Sequence, residues 1–66
     1  MNDIIEDMRY RVTLKEENST GEEFTGVASR DDEQPWETHV LFKEVNGNPQ
    51  AQLVVPRSTI KSVELI

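Results

Sequence analysis

The sequence predicts an all-β fold: one small, strongly bent barrel of five short strands, preceded by a short N-terminal helix. Three observations lead there. Apolar and polar residues alternate in short runs, which is the period of half-buried strands. Turn residues such as Asn46-Gly47-Asn48-Pro49 separate the runs. One predicted strand also carries an internal glycine, Gly26, which weakens a strand unless the chain bends or another backbone comes close.

The elements follow in chain order. Asn2 or Asp3 can cap a helical turn bearing Ile4, Ile5 and Met8, with Glu6 and Asp7 near its positive end. Such a turn is too short to persist without packing on something else. From Met8 to Lys15 the period becomes two, with Met8, Tyr10, Val12 and Leu14 on one face and Arg9, Arg11, Thr13 and Lys15 on the other. The stretch from Glu16 to Gly21 is a turn. A second strand runs from Glu22 to about Arg30, with Phe24, Gly26 and Ala28 sharing a face.

A charged loop, Arg30 to Pro35, then leads through Trp36 into a third strand, Glu37 to Val45, where Val40 and Phe42 oppose His39, Leu41 and Lys43. Gln50 to Val55 forms a fourth strand with Ala51, Leu53 and Val55 on one face, ended by Pro56, which has no N–H to donate. Ser58 to Leu65 forms the last, with Ile60, Val63 and Leu65 as its buried set. The spacing of Ile60 and Val63 breaks the alternation and predicts a bend or bulge.

Sixty-six residues suit a single domain, 1–66, with a thin core. Small chains often need a staple, and with no cysteine and a single histidine neither disulfides nor thiolate or imidazole metal sites supply it. Self-association remains, so a homo-oligomer is expected. No run has the roughly 20 apolar residues of a membrane span, and Met1 to Asp7 lacks the pattern of a signal peptide, so the expected setting is cytoplasmic. A net charge of −6 opposes bulk attraction to nucleic acid or anionic lipid.

Two stretches resemble the Sm-like superfamily of eukaryotic and archaeal Sm proteins and bacterial Hfq. Val12-Thr13-Leu14-Lys15, followed by Gly21-Glu22-Glu23-Phe24-Thr25-Gly26-Val27-Ala28, is similar to the family's opening motif. Val54-Val55-Pro56-Arg57-Ser58-Thr59-Ile60-Lys61-Ser62-Val63-Glu64-Leu65 resembles its closing motif. The resemblance implies an SH3-like barrel and a ring in which strand four of one copy, Gln50–Val55, pairs with strand five of the next, Thr59–Ile66. It also implies single-stranded RNA as partner, contacted by the two turns that read bases in the family. Here those places hold Arg30-Asp31-Asp32 with Thr38-His39, and Pro56-Arg57-Ser58; the family's asparagine is missing.

The candidate RNA-binding residues are therefore His39, Arg57, Ser58, Trp36 and Arg30. Trp36 is either a platform for base stacking or a cover for one end of the barrel. His39 either donates to a base edge or is an ordinary strand residue. Arg57, held by Pro56, suits phosphate or base contacts and equally an inter-subunit ion pair. Arg9, Arg11 and Lys15 form a basic stripe that the surplus carboxylates can neutralise. Asp31, Asp32, Glu33 and Glu37 offer oxygens for calcium or form a solvated loop, but lack the EF-hand pattern. No nucleophile–base set or phosphate loop is present, so neither catalysis nor a cofactor is expected. A different function class stays open beside RNA binding: an acidic SH3-like module that docks on a protein, or a nucleic-acid mimic that inhibits by blocking a basic site.

Overall fold

A computed structural model describes residues 3–15 and 23–66. Five strands form one antiparallel sheet: β1 (Arg9–Leu14), β2 (Glu23–Ser29), β3 (His39–Lys43), β4 (Gln52–Pro56) and β5 (Ile60–Leu65), in the order β4-β3-β2-β1-β5. Alternation decides which side chains enter the core. Tyr10, Val12 and Leu14 of β1, Phe24 and Ala28 of β2, Val40 and Phe42 of β3, and Val55 of β4 are buried together. Ile4, Trp36, Val45, Ile60 and Val63 pack against them from the margins.

One sheet enclosing one cluster has to curl. The molecule measures 26 × 25 × 20 Å, far thicker than a flat layer whose neighbour would stack about 10 Å away. The strands β4 and β5 do not pair with each other, so backbone hydrogen bonding leaves the curled sheet open. A single turn of 3₁₀ helix, Arg57–Thr59, carries the chain between them, and β5 continues along β1 rather than back along β4.

Gly26 sits where the two ladders of β2 diverge. It faces Tyr10 on β1, whereas pairing with β3 begins only at Val27. A Cβ there would lie 3.0 Å from Phe42 Cβ and 3.2 Å from the Lys43 carbonyl oxygen. The glycine thus admits the close approach of β3, one of the two reasons a strand tolerates it. Next to it the Thr25 N–H donates to Asn46 Oδ1 at 3.2 Å, a side chain standing in for the missing ladder partner.

Elsewhere the structure departs from the alternation. In place of an N-terminal helix, the described residues Asp3 to Met8 make a tight turn. Asp7 has φ 73°, and its N–H donates to Ala28 O at 2.8 Å. The segment is too short to nucleate a helix, and bonding to β2 and to Tyr10 supplies what a helix would not. Asn2 and the predicted Glu16–Gly21 turn lie outside the described residues. The third strand is shorter than its period suggests because Trp36 to Thr38 form a turn. The Thr38 and His39 N–H groups both donate to Pro35 O, at 3.0 and 2.9 Å. The Asn46-Gly47 hairpin is wider than two residues, a 3₁₀ turn (Val45–Gly47) with Glu44, Asn46 and Gly47 at φ 54°, 53° and 83°.

On β4 and β5 the predicted buried sets fail in part. Leu53 is 42% and Leu65 57% exposed, leaving Val55 alone fully inside. The expected irregularity in β5 is present. Thr13 faces Ser62 while Leu14 faces Ile60, so Lys61 is the extra residue of a bulge.

Candidate functional site

The five candidate residues lie where the approach to β3 meets the end of β4. Arg30 follows the last residue of β2, and the chain then turns on Asp31, whose Oδ2 accepts the N–H groups of Glu33 and Gln34, each at 2.9 Å. That carboxylate therefore orders the loop itself, the part a solvated loop would give it. Pro35 then anchors the turn that sets Trp36 beside the β4 end. His39 pairs with Pro56 across β3 and β4, and the Arg57 N–H donates to Thr38 O at 2.8 Å, so the two segments are stitched by backbone.

Arg57 is the hub. Its Nε donates to Trp36 O at 2.7 Å, and its guanidinium carbon stands 4.7 Å from the indole centroid. The Arg30 guanidinium lies 5.2 Å from the same ring. Contacts of this kind are worth roughly 0.5–2 kcal/mol each, depending on desolvation. They hold two cations at one aromatic surface. The terminal nitrogens of Arg57 make no hydrogen bond among the described residues, leaving donors in the planar fork that suits phosphate or carboxylate. Trp36 is half-buried and packs against the core, so it covers one end of the sheet while serving as the arginines' platform.

His39 joins this cluster less directly. It is half-buried at the start of β3, and its Nδ1 lies 2.9 Å from Thr38 Oγ1. Ser58 is exposed and belongs to a different surface. It lines a pocket of about 460 Å³ together with Arg57, Lys15 and Lys61. The structure thus brings Arg30, Trp36 and Arg57 into contact, places His39 at their edge, and turns Ser58 away.

Two of the three residues in the basic stripe of β1 are taken up by carboxylates. Arg9 meets Glu44 and Arg11 meets Glu64, both at 2.8 Å, and Arg30 itself bonds Glu6 at 3.0 Å. All six side chains are substantially exposed, so each pair contributes no more than about 1 kcal/mol. Lys15, the third of the stripe, goes instead to the pocket. Lys61 was not among the candidates, although the broken spacing between Ile60 and Val63 marked its neighbourhood.

Comparison with family models, curated proteins and solved structures gives no match to this chain. The candidate site therefore rests on its own geometry. Among the described residues no helix is long and apolar enough to cross a membrane, and no group of carboxylates and histidines is arranged to hold a metal ion.

Proposed function

We propose that the chain is a non-catalytic, cytoplasmic subunit of an Sm-like ring of SH3-like barrels, which holds single-stranded RNA against the Arg30–Trp36–Arg57 surface. The observation that carries this reading is the placement of β4 and β5. They are the two edges of the sheet, and they expose Leu53, Val54 and Leu65 beside an unpaired strand edge. Exposed apolar edges invite pairing with another chain. The resemblance to Sm-like proteins names these two strands as the joint. A constant rotation at such a head-to-tail joint closes copies into a ring. Within that assembly Trp36 offers a face for a base, Arg57 and Arg30 offer donors for phosphate, and His39 lies alongside.

Light scattering on a size-exclusion column, with labelled U-rich and A-rich RNA at low and physiological salt, tests both halves. A mass several times 7.6 kDa and RNA affinity that falls with salt are expected. Replacing Arg57 by Ala should weaken RNA binding by roughly 1–3 kcal/mol, the cost of a lost charge-assisted contact. A monomer that ignores RNA would sink the proposal.

The charge favours a second reading. The chain carries a net −6, and three of its four arginines already meet carboxylates. An acidic module docking on a basic protein uses that surplus directly. It predicts capture by an immobilised polylysine surface that released chain and salt both reverse, with no response to RNA.

A further inference from the structure

Seven basic residues face thirteen acidic ones, so a cation placed at random would find a carboxylate. Arg9, Arg11 and Arg30 do. Of the remaining four, Lys15, Arg57 and Lys61 converge on the 460 Å³ pocket, and among the described residues no carboxylate lines it. Three like charges gathered at one pocket repel one another, and an anion seated among them offsets that repulsion.

The backbone is shaped to bring them together. Lys15 follows the last residue of β1, and its N–H donates to Thr59 O at 2.9 Å, fixing the end of β1 against the 3₁₀ turn that carries Arg57. In a regular strand Ile60 and Lys61 would point to opposite faces. The bulge in β5 removes that constraint, and Ile60, Lys61 and Val63 all line the same pocket. Bulges recur where a side chain must be re-aimed beside a site. Ile4 also lines the pocket, steadied by the Ile5 N–H, which donates to Tyr10 Oη at 2.8 Å. The lining thus combines three apolar residues, Ile4, Ile60 and Val63, with three cations and Ser58. Its volume falls within the range of small-molecule sites, about 300–1,000 Å³.

We propose that this pocket binds a small amphipathic anion, a carboxylate or phosphate monoester on a short hydrocarbon body. The head lies among Lys15, Arg57 and Lys61, and the body rests on Ile4, Ile60 and Val63. The pocket shares Arg57 with the Trp36 cluster but has Lys15 and Lys61 to itself, so variants of these two lysines separate anion binding from RNA binding.

The test is a titration of the full chain with octanoate and octyl phosphate, below their aggregation range, against octanol, octyltrimethylammonium and inorganic phosphate. Amide chemical shifts map the site. The fluorescence of Trp36 gives a second signal, since its ring touches Arg57. Saturable binding of both amphipathic anions is expected, with shifts centred on Ser58 to Val63. Octanol and inorganic phosphate should each bind about tenfold more weakly or worse, having only half of the recognition, and the cation should not bind. The variants Lys15→Gln and Lys61→Gln, both at exposed positions whose fold the same spectra verify, should each weaken octanoate by about tenfold. The variant Lys43→Gln, an exposed cation outside the pocket, should not. Equal affinity for octanol or the cation, shifts centred on the edges of β4 and β5, or an equal effect of Lys43→Gln would overturn the proposal. So would binding of an acidic peptide alone, without either octyl anion.

Discussion

The centre of the sheet and its margins are built from the same kinds of residue and behave differently. Strands β1, β2 and β3 each have a neighbour on both sides, and their inward residues Val12, Ala28, Val40 and Phe42 have no exposed surface. Strands β4 and β5 have one neighbour each, and Leu53, Val54 and Leu65 are between 39 and 57% exposed. A strand's apolar residue is buried only if something stands opposite it, and the curled sheet of one small domain cannot supply that at both ends. The centre is where stability is concentrated. The margins are where apolar surface is left uncovered.

Four experiments sharpen or break this contrast, from the largest expected effect to the smallest. Phe42→Ala removes a fully buried ring that meets Phe24 edge-on, centroids 5.3 Å apart. It should cost about 3–5 kcal/mol and leave so small a domain largely unfolded by circular dichroism. A cooperative melt near that of the parent would mean that the centre is not the stabilising half.

Gly26→Val adds atoms where the first Cβ already sits 3.0 Å from Phe42 Cβ, with the Lys43 backbone behind it. Overpacking of this kind costs typically 1–3 kcal/mol in urea unfolding. An unchanged midpoint would show that β3 can retreat freely.

The Arg11–Glu64 pair crosses from the centre to the margin, two directly opposed residues of β1 and β5. Arg11→Gln, read in a double-mutant cycle with Glu64→Gln, should give a coupling of roughly 0.2–1 kcal/mol that fades with salt. A coupling that survives high salt would mark β5 as more deeply packed than its exposure suggests.

Leu53→Ser should change subunit unfolding by less than about 0.5 kcal/mol, as surface substitutions usually do. Its effect belongs to assembly, and in the proposed ring it lowers the mass seen by light scattering. Strong destabilisation of a proven monomer would erase the distinction between centre and margin.

The legibility of the sequence divides along the same line. Alternation grouped Tyr10 with Val12 and Leu14, Phe24 with Ala28, and Val40 with Phe42, and these shared faces form the core, because in a two-faced strand one face must be buried. The same rule overreached at Leu53 and Leu65, since periodicity cannot tell an edge strand from a central one. The shape of β5 was legible because Ile60 and Val63 cannot share a face without an extra residue between them. What that bulge does with Lys61 was not, because it depends on Lys15 and Ile4, far away in the chain. The grouping of Trp36 with Arg57 hinged on a turn at Pro35 that its proline announced only as the end of a loop.

Strand β1 acquires its two neighbours on very different terms. Its partner β2 lies next in the chain, whereas Arg11 and Glu64, on the other side, are 53 residues apart. Contacts of such separation must first overcome loop-closure entropy, and they slow folding. The meander β1–β2–β3–β4 can assemble from neighbours in sequence, with β5 docking last and peeling first. Amide hydrogen exchange should then be fastest along β5 and slowest along β2. Ile60, Lys61 and Val63 ride on that late strand, so the pocket comes into being only with the final step of folding, and an anion seated there would slow its reopening.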